Sequence, residues 1–199
     1  MPIPRLASAL VLTLALAGGP ALAQAPADSP RNVAEPTGLW TGPMRGYTPT
    51  TLAGAKVIDA GELAKLAASE NPLLLDFGPA DRKPPSMAPD APWMPAHRSI
   101  PGAIWMPGAG LGSADPAFAR AFAGRVAALA GGDLSRPVVT FCHPECWGSW
   151  NAGKRLVALG YRRVYWFPEG VEGWQAERDV ATVKADPVWA LAAPADQPQ

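Results

Sequence analysis

The stretch Val138-Val139-Thr140-Phe141-Cys142-His143-Pro144-Glu145-Cys146-Trp147-Gly148-Ser149-Trp150-Asn151 decides the architecture. Val138 to Phe141 follows a proline and is apolar but for Thr140, as in a strand buried on both faces. A loop with two cysteines comes next. Trp150 to Leu159 then carries apolar residues at Ala152, Leu156 and Leu159, a helical spacing that Gly160 closes as a left-handed cap. A buried strand leading through a loop into a helix predicts a parallel sheet covered by helices.

The flanking chain repeats the pattern. Val57-Ile58, Leu73 to Phe77, the turn and strand of Pro101 to Met106, and Arg163 to Phe167 read as further strands. Asp59 can cap a helix over Ala60 to Ser69, which Asn71-Pro72 stops. Asp115-Pro116 opens another helix that runs to Ala130, with Phe118, Phe122, Val126 and Leu129 on one face and Gly131-Gly132 at its end. Asp81 to Pro95, with Trp93, reads as a Pro-rich surface loop, and Pro168 to Trp174 as a Gly-rich one. The expectation is one α/β domain over residues 51–182, a parallel sheet with helices on both faces. Beyond Arg178 the pattern fades, and residues 183–199 are expected to form a flexible tail. In such sheets the working site lies beyond the carboxyl ends of the strands, which is where Cys142 stands.

Residues 1–23 read as a cleaved leader. Arg5 is its positive start, Leu6 to Ala17 its short apolar run, and Ala21-Leu22-Ala23 its cleavage site. The run is shorter than the ~20 residues needed to cross a bilayer, so no membrane span is expected after its removal. The expected location is the periplasm, an oxidising space. Residues 24–50 read as a Pro/Ala-rich linker followed by an extended arm, pinned to the domain through Trp40, Met44 and Tyr47. With 17 basic and 17 acidic residues the chain has no net charge, which argues against nucleic acid as a partner.

Cys142 and Cys146 are the only cysteines. A thiol held at a loop that feeds a helix N-terminus meets backbone N–H groups and the positive end of the macrodipole, and so ionises more easily. With three residues between them the two sulfurs can meet, since disulfides span Cα separations near ~6 Å. Three chemistries stay open. The pair can act in thiol transfer or redox, with Cys146 resolving a persulfide or sulfenic acid on Cys142. It can be a structural disulfide in a binding module, or join His143 in holding a soft metal such as Cu(I). Haem attachment is excluded because no histidine follows a C-x-x-C pair, and no cofactor is expected.

Five ordered blocks resemble the rhodanese-like fold: Leu74 to Phe77, Ile100 to Ile104, Val138 to Cys142, Leu156 to Tyr161, and Glu169 to Trp174. More narrowly, Cys142-x-x-x-Cys146-Trp147, Ser149 to Ala152 and Tyr165 to Gly170 resemble the PQQ-dependent catabolism-associated CXXCW-motif proteins. That resemblance implies an exported accessory of quinoprotein alcohol oxidation, with a quinoprotein dehydrogenase or its cytochrome c as partner. The loop departs from the sulfurtransferase pattern. It is one residue longer, it carries no arginine, and Glu145 and Trp147 stand where small and basic residues are usual. A carboxylate a few ångströms from the thiol costs about 1 kcal/mol or more against a bound anion, which argues against thiosulfate sulfurtransferase activity.

The candidate catalytic residues are therefore Cys142 and Cys146. Glu145, Trp147 and Ser149 are candidate binding residues within the loop, with Ser149 or Asn151 as helix cap. Asp76, at a strand end on the same sheet edge, can orient the loop, and Arg98 is the nearest basic residue to meet an anion. His97 receives no role. Eight tryptophans are many for this length; Trp105 and Trp166 are expected in the core and Trp147 at the surface.

Overall fold

The computed structural model describes residues 1, 33–81, 83–88, 90–91 and 95–192. The expected leader (apart from Met1), the start of the linker, Trp93 and residues 193–199 lie outside them. Among the described residues, no helix is long and apolar enough to cross a membrane.

Buried apolar runs build the sheet. β1 (Lys56–Val57), β2 (Leu73–Asp76), β4 (Ile104–Trp105), β5 (Val138–Phe141) and β6 (Val164–Phe167) lie in the order β1-β6-β5-β2-β4. All four pairings are parallel, and β2 and β5 are buried along their whole length. Alternation sorts their side chains to two faces. Leu73, Leu75, Val138 and Val164 pack with α2 (Pro116–Ala130) and α3 (Trp147–Ala158), while Leu74, Val139, Phe141 and Phe167 pack with α1 (Ala60–Glu70) and α4 (Gly170–Gln175). Each fully buried large apolar side chain contributes roughly 1.5–3 kcal/mol. The fold is thus the expected α/β sheet with helices on both faces.

Local signals set the helix ends. Asp59 and Glu62 form a reciprocal capping box at the start of α1, and Asn71 ends it at φ +45°. Asp115 caps α2 through the Ala117 N–H, with proline in its first turn.

Four expectations are corrected. Helix α3 begins at Trp147 rather than Trp150, so Ser149 and Asn151 lie inside it and Cys146 is its N-cap without a side-chain cap bond. The freed Trp147 N–H donates instead to the Met44 carbonyl, 2.9 Å away. The segment expected as a Gly-rich loop contains α4, held because Val171 is buried and donates its N–H to the Cys142 carbonyl at 2.9 Å. The Pro-rich excursion ends in an additional strand, β3 (His97–Ser99), paired antiparallel with β7 (Ala181–Val183). Finally, the tail expected from residue 183 is folded as far as α5 (Pro187–Ala192). Trp189 is fully buried there, its ring edge-on to Phe118 and its Nε1 donating to the Pro107 carbonyl. Arg125 grips Asp186 with two hydrogen bonds, and Asp186 also accepts the Trp189 N–H. Tertiary burial of one tryptophan, not helix propensity, holds this segment.

Candidate functional site

Strand β5 delivers Cys142 to the carboxyl end of the sheet, and His143-Pro144-Glu145 turns the chain back to Cys146. Glu145 sits at the tip with φ +55°, a left-handed conformation uncommon outside glycine. The turn brings Cys142 and Cys146 together as a disulfide with Cα atoms 6.2 Å apart. Both are buried, at 0% and 6% exposure. Glu145 itself is exposed.

Two elements clamp this loop. On one side α4 leans on it: Gly170, at φ +61°, comes so close that a Cβ there would lie 2.5 Å from the Cys142 carbonyl oxygen. Only glycine satisfies both the conformation and the approach. On the other side runs the arm. Arg45 bridges Cys146 in antiparallel fashion, with Gly46 N–H donating to the Glu145 carbonyl at 2.9 Å and Trp147 N–H to Met44.

Helix α3 holds the arm with its side chains. The buried Asn151 acts as a surrogate strand: its Oδ1 accepts the Trp40 N–H at 2.8 Å and its Nδ2 donates to the Trp40 carbonyl at 2.9 Å. Trp40 stacks flat on Trp147, which meets Trp150 edge-on. Trp147 is therefore buried rather than at the surface, because the arm covers it. Ser149 is buried too, donating to the Cys146 carbonyl and accepting from Trp166 Nε1. Trp105 and Trp166 occupy the core as expected. Lower on the arm, Glu35 accepts from the Ala53 N–H and the Thr51 hydroxyl. Chiefly the Ala53 N–H, with help from Thr51 and Lys154 and against partial desolvation, holds the Glu35 carboxyl below its ordinary range.

A second polar group adjoins the loop. Asp76 is fully buried beside Phe141 in the sheet register. Its oxygens accept from Gly78 N–H (2.7 Å) and Ser99 Oγ (2.6 Å) and pair with His97 Nε2 (2.7 Å). The His97 ring lies flat on Trp105, 4.3 Å between centroids, and Gly78 leaves room for it. His97 therefore has a partner and a place, contrary to the sequence expectation. His143 pairs through Nδ1 with Glu172 Oε1 at 2.7 Å, and the two imidazoles stand edge to face, 6.1 Å apart. Both line a cleft of about 350 Å³, together with Arg45 and Arg98.

Of the candidate residues, Cys142, Glu145, Cys146, Trp147 and Ser149 form one loop and helix start, while Arg98 lines the neighbouring cleft and Asp76 is buried behind its His97. With both sulfurs joined to each other, neither is a thiolate ligand for a soft cation in this state. Among the described residues no trio of His, Cys, Asp or Glu is disposed to hold a metal. His97, Glu172 and Arg45 escaped the sequence reading. One signal pointed to His97: a carboxylate at the end of an apolar strand must be paired when buried, and His97 and Ser99 alternate onto one face of a strand.

A family model described as Rhodanese-like domain matches residues 59–177. Among solved structures the chain is similar to a thiosulfate sulfurtransferase from Pseudomonas aeruginosa (24% identity, TM-score 0.41), over 64% of this chain. The match spans only 20% of that chain's length. It is also similar to a polysulfide-sulfur transferase homodimer from Wolinella succinogenes (21% identity, 63% of this chain and 76% of that one, TM-score 0.39). A human single-domain sulfurtransferase is similar at 22% identity, over 63% of this chain and 99% of that one, with a TM-score of 0.40. No curated protein matches.

Proposed function

The chain belongs to the rhodanese-like domain family, and from that premise we propose that it is an exported thiol protein handling sulfane sulfur. The observation that carries this reading is the Cys142–Cys146 disulfide at the carboxyl end of the central strand. In the reduced protein the Cys142 thiolate attacks the outer sulfur of a persulfide donor, taking that sulfur and releasing the donor's thiol. The Cys146 thiolate then attacks the Cys142 sulfur, forming the disulfide and expelling hydrosulfide. The transferred sulfur gains two electrons and the two cysteines lose them. An external dithiol resets the pair by disulfide exchange.

The leader-like start and the Cys-x3-Cys-Trp motif support a periplasmic setting beside PQQ-dependent alcohol oxidation. A quinoprotein dehydrogenase or its cytochrome c is the proposed partner. The departures of the loop, which has no arginine between the cysteines and an acidic Glu145 at its tip, support a persulfide rather than thiosulfate as donor.

A second reading, a non-catalytic module with a structural disulfide, is favoured by the burial of both cysteines under the arm and α4. One experiment separates the two. The mature protein is equilibrated in thiol–disulfide buffers, then reduced, given a persulfide donor and assayed for trapped persulfide and released sulfide. A potential above about −300 mV with one sulfide released per chain supports sulfur handling. A lower potential with neither product establishes the structural role.

A further inference from the structure

We propose that the cleft between the arm, β3, the cysteine loop and α4 is a binding site for a small organic dianion. This goes beyond the sulfur chemistry, since neither cysteine has to react for the site to fill. The cleft measures about 350 Å³ and is walled by Arg45, His97, Arg98, His143, Glu172 and Gln175.

Its charge pattern selects an anion. The carboxylate behind each imidazole is already engaged: Asp76 by His97, Ser99 and Gly78, and Glu172 by His143. Asp81, the remaining acid on the wall, has an interaction of its own. Each imidazole is thereby anchored through one nitrogen, His97 through Nε2 and His143 through Nδ1. The other nitrogen of each has no hydrogen-bond partner among the described residues, and neither is sealed from solvent. Arg45 and Arg98 are exposed and make no ion pair among the described residues, whereas Arg125 and Arg163 are both bonded to carboxylates. Two free guanidinium groups and two anchored imidazoles therefore share one concavity without an uncommitted acid. Guanidinium groups bind carboxylates in bidentate fashion.

Size selects an organic ligand over a bare oxyanion, because a cleft of this volume falls at the small end of the range for organic ligands, ~300–1,000 Å³. The arm completes the site: its antiparallel bridge to Cys146 brings Arg45 to the cleft wall. Nothing in the matched segment 59–177 supplies that residue.

The chain holds only two histidines, and both line the cleft, so their Cε1–H resonances report occupancy directly. The oxidised mature protein is titrated with succinate, and separately with inorganic phosphate, by 1H–13C NMR. Succinate is expected to shift both signals saturably, with phosphate binding at least tenfold more weakly. Arg45→Gln and Arg98→Gln should each weaken succinate binding tenfold or more, and Lys56→Gln, on the far edge of the sheet, should leave it unchanged. Absence of any shift overturns the proposal, as does wild-type affinity in either arginine variant. Phosphate binding as tightly as succinate overturns the assignment to an organic anion. Because the titration uses the disulfide form, its failure leaves the sulfur-handling reading to its own assay.

Discussion

Trp40 lies flat against Trp147, their ring centroids 4.4 Å apart and their planes 13° from parallel. The two residues come from opposite sides of the disulfide loop, so the stack fastens the arm over the first turn of the helix that the loop feeds. Aromatic pairs of this kind add about 0.5–1.5 kcal/mol beyond the area they bury.

Trp40→Ala should free the arm without unfolding the domain. Protection of the Trp147 and Gly46 amides, which bond across the arm, should fall by at least tenfold in hydrogen exchange, while the β5 amides keep theirs. Unchanged protection would mean that Asn151 and the backbone bridge suffice to hold the arm.

The foot of the arm should respond to acid. Glu35 has a folded-state pKa below its ordinary 4.5, so it favours docking above that value. The contribution is lost as the pH falls through the lower folded-state value. Proteolytic cleavage within residues 33–50 should accelerate as the pH falls below the ordinary carboxylate range, and Glu35→Gln should flatten that profile. An identical acid profile in the variant would rule the carboxylate out.

Asp76→Ala should be among the most damaging single changes. It strips the Ser99 hydroxyl, the Gly78 N–H and the His97 ring of their common acceptor in a fully buried setting. Breaking a buried pair of this kind costs about 3–5 kcal/mol, readable as a lower urea midpoint. A loss under about 1 kcal/mol would show that the group is peripheral to stability.

Reducing the disulfide should cost little. It closes only the short turn from Cys142 to Cys146, for which the chain-entropy model gives about 2 kcal/mol. That corresponds to a Tm lower by about 4–8 °C in a domain of this size. A much larger drop, or loss of cooperative unfolding, would identify the bond as a requirement of the fold.

Much of the fold was legible because periodicity and end signals agreed. Leu73 to Phe77, between Pro72 and Gly78, and Val138 to Phe141, after Pro137, are largely apolar runs, and both hold strands inside the sheet. The spacing of Cys142 and Cys146 showed that their sulfurs can meet, as they do in the disulfide, and left the chemistry of the pair open. What escaped is held by partners distant in sequence. His97–Ser99 offers a single alternation, too little to mark a strand in the sequence, and is one because it pairs with Ala181–Val183. Pro187–Ala192 opens on an Asp186-Pro187 cap but is too short to show an apolar period, and it is fixed by Arg125 and a pocket for Trp189. Trp147 looked like a surface residue because nothing local reveals that Met44 and Trp40 fold back across more than a hundred positions. The cleft was invisible for the same reason, since Arg45, His97, His143 and Glu172 come from four separate segments.

The anchoring of Trp189 sets a practical boundary. A recombinant fragment trimmed to the family match, residues 59–177, would leave Phe118 facing a tryptophan-sized void and strip the cover from Trp147. Such a fragment would carry the disulfide yet expose sticky surface at both ends, and its aggregation would say nothing about the chemistry of the cysteines. The heritable segment is shorter than the piece that folds.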